Sequence, residues 1–345
     1  GLSTHAPSAA GALAVGAAAA LSAINLLGVI VGKSAQNLLT AVKVLGLLAV
    51  IVAGFWASPE ATPAQPSSAA AAGSNLGLAL VFVLLAYGGW NDAAFVSAEV
   101  QNPRKNIPRA LFISIAVITV VYLLVNLSFL NVLGFEGARN TFTPAADALA
   151  KVAGSKASAA VSVLIMVSAL SAINGLILTG SRVFQTLGSD HRVFAWLSKS
   201  NSGRGAPSGA IAAQAAVSIA LILAVGAETG RNSIDSGLGV LGLGPLPWDA
   251  YHGGFETLVA AAAPVFWGFF LLTGLSLFVL RWRDADRPRP WPVPWYPLPP
   301  IAFCLTCLYM LYASLDYAKA LCLLAVLPVI LGVPLYWFSR RWQPA

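Results

Sequence analysis

Long apolar runs with brief polar punctuation set the pattern of this chain. Nine stretches read as spanning helices, at about 9–31, 35–56, 76–100, 108–133, 158–185, 208–226, 256–280, 299–316 and 319–338. Several exceed the roughly 18 apolar residues that a spanning helix requires. The connections differ in kind. Residues 57–75 are Ala, Ser and Pro without a cation. Residues 227–255 are glycine-rich and mildly acidic, with room for a short amphipathic piece lying on the membrane. Residues 281–298, RWRDADRPRPWPVPWYPL, make a stiff proline-rich link whose Trp282, Trp291, Trp295 and Tyr296 suit the headgroup level.

The third span departs from the pattern. LGLALVFVLLAYGGWNDAAFVSAEVQNPRKNIPR begins as an apolar helix and meets Gly88-Gly89 with polar and aromatic neighbours. A glycine pair costs roughly 2 kcal/mol of helix propensity relative to two alanines. Irregular backbone at membrane depth is tolerated where it lines a cavity, not where it faces lipid. An apolar span interrupted at its middle is therefore a binding-site candidate. The alternative is a kink whose glycines only permit close packing.

Composition and charge sharpen this. The chain has 345 residues, 58% hydrophobic and only 10% charged, against a soluble norm of about 25% charged. The expected fold is an all-α polytopic membrane protein. Of the twenty Lys and Arg, fourteen fall on one side of the predicted spans and five on the other, with Lys43 inside a span. The richer side is expected to be cytoplasmic. The net charge of +7 is then an orientation signal rather than a sign of nucleic-acid binding. Cys304 and Cys307 form a CxxC inside an apolar helix with no His or carboxylate nearby, so packing is expected, not a metal. His5, His191 and His252 sit in loops, and there is no Walker motif, HExxH or carboxylate pair on one face. Neither an enzyme nor a cofactor is indicated.

Candidate functional residues follow from polarity inside apolar spans. Lys43 lies about eight residues past the expected start of its helix, roughly 12 Å deep. A central Lys costs at least about 2.5–3.5 kcal/mol on insertion scales. It either snorkels or stands as a fixed cation in the bundle, able to exchange a proton. Asn91 either holds a ligand's amino or carboxylate group or makes an interhelical hydrogen bond. Asp92, the one acid well inside a span, binds a cation, pairs with Arg or Lys, or lines a vestibule. Ser168 and Ser171, three apart, either pack a helix interface or turn their hydroxyls toward Lys43; Asn174 is ambiguous in the same way. Glu99, Arg104 and Arg109 either cap and orient the end of the broken helix or close a cytoplasmic gate by ion pairing.

These residues also carry a resemblance. AYGGWNDAAFVSAEVQNPRKNIPRAL resembles the sixth helix and following loop of amino acid permeases of the amino acid–polyamine–organocation superfamily, closest to the L-type amino acid transporter branch. INLLGVIVGKSAQNLLTAVKVLGLLAVIVAG resembles helices four and five, and SAINGLILTGSRVFQTLGSDHRVF the eighth. The resemblance implies a partial leucine-transporter-type inverted-repeat fold, helices four to twelve, in a single transmembrane domain over residues 1–345. Residues 9–56 would be a remnant of the first repeat, 76–280 the second repeat and 299–338 two peripheral helices. It implies a secondary active amino acid permease, proton-coupled or an exchanger, in the plasma or inner membrane. Its substrate-binding residues would be Leu85, Tyr87, Gly88, Gly89, Trp90 and Asn91. Lys43 would fall on the lysine that takes the place of a sodium ion in sodium-coupled relatives, with Ser168 and Ser171 near its partners. Leu85 departs from an aromatic gate, and nothing matches helices one to three. The expectation is therefore an N-terminally truncated fragment, inactive alone. The rival class is a non-transporting membrane sensor or a partner-dependent subunit, and nothing in the sequence names a partner chain.

Overall fold

A computed structural model describes residues 6–56, 76–95, 100–141, 143–200, 205–250, 254–287, 289 and 293–340. All secondary structure among them is helical. The order is α1 (Ala6–Leu26), α2 (Val29–Trp56), α3 (Leu76–Ala86), α4 (Asp92–Phe95), α5 (Pro103–Arg139) and α6 (Pro144–Asp190). It continues with α7 (Ser208–Gly226), α8 (Glu228–Val240), α9 (Gly254–Arg283), α10 (Leu298–Ala318) and α11 (Leu323–Arg340). Among the described residues, six helical stretches are long and apolar enough to cross a membrane: Ile30–Trp56, Pro103–Arg139, Pro144–Asp190, Ser208–Gly226, Gly254–Arg283 and Leu298–Ser339. The last holds both α10 and α11, joined by a 3-10 turn at Lys319–Cys322. Their surfaces are apolar outward as well as inward: Phe112, Ile113, Leu123 and Leu272 are all more than half exposed. Such a bundle belongs in lipid, because in water that surface would drive aggregation.

Boundaries moved where the sequence offered no polar punctuation. The first turn comes at Leu27-Gly28, with Gly28 at φ 135°, and α2 starts at Val29, not at residue 35. Lys33 therefore lies within the helix. Lys43 stands 14 residues past Val29, at the midpoint of a 28-residue helix, about 21 Å along its axis. α5 and α6 run beyond the predicted 108–133 and 158–185. Each holds a left-handed glycine, Gly134 at φ 69° and Gly154 at φ 79°, where the long helix bends. The helices pack together around those glycines through Val132 and Leu133 of α5 and Ala148 of α6. The amphipathic piece expected in 227–255 is α8. Asp235 on it accepts bonds from Leu246 N–H at 3.0 Å and Trp248 Nε1 at 2.8 Å, which ties the following loop down.

Two kinds of contact hold the helices together. On one flank α2 lies antiparallel on α6. A Cβ on Gly32 would stand 3.2 Å from Leu178, and one on Gly46 would stand 2.1 Å from Leu164, so the two glycines let the helices approach with these leucines in place. On the other flank α9 and α10 form a tight hairpin in which Gly274 leaves room for Cys304 Sγ and Phe303. Trp267, Cys307 and Met310 form its core, with Leu80 and Leu84 of α3 against it. Cys304 and Cys307 are free thiols used in packing. Arg281 places its guanidinium 3.9 Å over the Tyr296 ring, while Trp282 and Trp295 stand out fully exposed at that end. Trp291 lies outside the described residues.

Candidate functional site

The apolar helix α3 stops at Ala86, and residues 87–91 turn before four residues of α4 resume. The ladder loosens in steps. Tyr87 N–H still reaches Val83 O at 3.2 Å, but Gly88 N–H bonds back only to Leu85 O at 2.9 Å, and Asp92 N–H to Gly89 O at 3.1 Å. Gly89, at φ 94°, takes a conformation that a side chain would strain. Among the described residues, the N–H groups of Gly89, Trp90 and Asn91 find no backbone acceptor. Gly88, Gly89 and Trp90 are exposed and Asn91 is half-buried, so these donors stand open to a bound group.

Neighbouring helices support the break from both sides. From α5, Tyr122 Oη donates to Ala86 O at 2.8 Å, satisfying a carbonyl at the end of α3. Tyr87 Oη donates to Thr119 Oγ1 at 3.2 Å, and the Tyr87 and Tyr122 rings meet edge to face at 5.2 Å. From the hairpin, Trp90 stacks on Phe270 at 5.3 Å and meets Phe303 edge-on at 6.4 Å. Asn91 Nδ2 donates to Asp92 Oδ1 at 3.0 Å.

The six residues expected at the substrate site thus diverge. Leu85 lines an apolar cavity of about 260 Å³ against Phe255, Phe266 and Trp267 of α9. Tyr87 turns to α5 and Trp90 to α9 and α10. Asp92, next in sequence, faces a second cavity of about 430 Å³ between α1, α4, α6 and α7.

Lys43 and the two serines belong to the α2–α6 seam. Gly32 opposite Leu178, Gln36 opposite Gly175 and Gly46 opposite Leu164 fix an antiparallel register that puts Lys43 at the level of Ser168. No hydrogen bond joins Lys43 to either serine among the described residues. Ser171, fully buried, accepts instead from Gln36 Nε2 at 3.4 Å. Gln36 belongs to a buried polar network. Asn174 Nδ2 donates to Gln36 Oε1 at 3.0 Å and to Gly32 O at 3.3 Å. Asn25 Nδ2 donates to Asn174 Oδ1 at 2.7 Å and to Leu21 O at 2.8 Å. Asn25 and Gln36 did not stand out in the sequence. The spacing of Gly32, Gln36 and Lys43 along one helical face would have flagged Gln36, given the right start for α2.

Of the expected gate residues, Glu99 lies outside the described residues. Arg104 and Arg109 are exposed at the start of α5 and meet no carboxylate among the described residues. Asn102, left-handed at φ 49°, precedes Pro103 in the first turn of α5, and Asn106 Nδ2 donates to Gln101 O at 2.6 Å. That arrangement turns the chain into α5, with no described side-chain hydrogen bond from Asn102 to the first turn.

Apolar helices with one span opened at its middle define an integral, multi-pass membrane protein. Residues 4–330 match the amino acid permease family. The chain is 26% identical over 324 residues to the mouse (Mus musculus) large neutral amino acids transporter small subunit 2, covering 89% of this chain and 54% of that protein. It is 25% identical over 328 residues to the serine/threonine exchanger SteT of Bacillus subtilis (strain 168), covering 93% and 67%. It is 26% identical over 311 residues to the mouse b(0,+)-type amino acid transporter 1, covering 88% and 57%. The chain belongs to the amino acid permease family, and it spans about half to two thirds of the length of these relatives.

Proposed function

We propose that this chain binds an amino acid at the break in its third span, as part of a secondary active transporter that is proton-coupled or an exchanger. The observation that carries this is the run of three backbone N–H groups, Gly89 to Asn91, without backbone acceptors among the described residues. Successive N–H groups in a turn form a concave anion site, and a carboxylate is the anion every amino acid supplies. Carbonyls freed by the same break suit its ammonium group. Lys43, at the midpoint of α2 and without a described partner, is the proposed coupling group. A fixed cation at that depth is costly and marks an ion or proton pathway. Ser168, at its level on the facing helix by that register, is its proposed hydroxyl partner.

The test is Gly88→Leu. A Cβ at Gly88 would stand 2.9 Å from Leu85 O, a backbone atom that cannot yield without moving the turn. Equilibrium binding of radiolabelled amino acids to the purified protein should weaken at least about tenfold, as expected when bound groups are displaced by the order of 1 Å. Unchanged affinity would reduce the break to a kink.

A further inference from the structure

The cavity beside the break has a chemistry of its own. It holds about 430 Å³, within the roughly 300–1,000 Å³ of small-molecule sites. Its walls are mostly aliphatic, and the polar groups on them are Asp92, Gln214, Thr179, Ser22 and Ser218. Of the groups that can donate, Thr179 and Gln214 are engaged, while the Ser22 and Ser218 hydroxyls have no described partner. Thr179 Oγ1 donates to Gly175 O at 3.0 Å, and Gln214 Nε2 donates to Leu176 O at 2.9 Å. Gln214 Oε1 is buried with no partner. Asp92 Oδ1 accepts from Asn91 Nδ2, and Oδ2 has no described donor. No Lys or Arg lines the cavity. The wall therefore presents a carboxylate and a buried amide oxygen with no cation to match them. In a low-dielectric site, such an imbalance favours a cationic donor.

We infer that this cavity is a side-chain subsite for a primary ammonium on an alkyl stem, so that the preferred substrate is a basic amino acid of lysine or ornithine length. This rests on the proposed binding of the amino acid head groups at the break. Asp92 follows directly on Asn91, so a substrate held there by its carboxylate has its side chain at the mouth of the cavity. The aliphatic walls suit methylene groups, and Asp92 suits the charged tip.

Binding of lysine, ornithine, norleucine and leucine to the purified protein tests this, with norleucine matching lysine except for the ammonium. Lysine should bind roughly 10- to 100-fold more tightly than norleucine, the range of one hydrogen bond to a charged group. Asp92→Asn should remove that difference and leave norleucine affinity unchanged, which also shows that the variant is folded. Asp92→Glu, reaching one methylene further, should shift the preference from lysine to ornithine. Equal binding of lysine and norleucine, or a lysine preference that survives Asp92→Asn, overturns the subsite while leaving head-group binding intact. Norleucine binding that requires sodium, with the requirement lost in Asp92→Asn, assigns the carboxylate to an inorganic cation and overturns it equally. Failure of all four to bind overturns the proposed function and this inference together.

Discussion

Tyr122→Phe isolates the support that α5 gives to the broken span. The substitution removes one atom and one bond, from Oη to Ala86 O at 2.8 Å. The edge-to-face contact with Tyr87 at 5.2 Å and the Tyr87–Thr119 bond at 3.2 Å remain possible. Side-chain hydrogen bonds between membrane helices average about 0.6 kcal/mol and reach about 1.7. The Ala86 carbonyl, left without its donor at the end of α3, places this loss toward the upper figure. The expected effect on the local opening equilibrium at residues 87–92 is about 5- to 15-fold. Hydrogen exchange in detergent or nanodiscs should show these amides exchanging faster by that factor, with exchange elsewhere in α5 unchanged. Amino acid affinity should fall by less than tenfold, because Tyr122 positions the turn and does not hold the ligand. Unchanged exchange at 87–92 would refute the idea that α5 sets the geometry of the break. Complete loss of binding would make Tyr122 a direct ligand contact instead.

Two further outcomes concern the α2–α6 seam. Asn174→Leu removes three hydrogen bonds from a fully buried side chain and leaves Gln36 Oε1 without its donor, so stability should fall by about 2–4 kcal/mol; an unfolding midpoint equal to the parent's would contradict the network's role. Lys43→Ala should raise stability, by up to about 3 kcal/mol if the whole central-lysine penalty is relieved, while abolishing pH-dependent uptake. Uptake that keeps its pH dependence would remove Lys43 from the coupling step.

What was legible in the sequence depended on contrast. The break was legible because a glycine pair followed by Trp90, Asn91 and Asp92 stands out in an otherwise apolar run. The apolar runs were equally plain and fall on helices apart from the turns at 27–28 and 87–91 and the bend at residue 100, with residues 96–99 of the third outside the described part. The start of α2 was misplaced by six residues because LLGVIVG has no polar residue to mark a turn; Gly28 alone makes it. That error put Gln36 at a helix edge, where polar residues are ordinary, and hid its part in the buried network. The destinations of Leu85 and Trp90 were not legible either. α3 is apolar all round, so its periodicity does not say which neighbour each face meets. Only the packing of α9 and α10 sends Trp90 to Phe270 and Phe303.

The seam and the hairpin flank the break with interfaces of opposite character. Amide-to-amide bonds between Asn25, Asn174 and Gln36 are directional, and a slip of one residue would lose them all. The ring contacts of Phe266, Trp267, Phe270 and Phe303 around Trp90 span centroid distances of 4.3–6.4 Å, and aromatic pairs tolerate a broad range of offsets. One side behaves as a latched joint and the other as a bearing. If the two halves of the third span tilt during a cycle, the sliding belongs at the bearing, and paired spin labels across α3 and α9 are where it would first be seen.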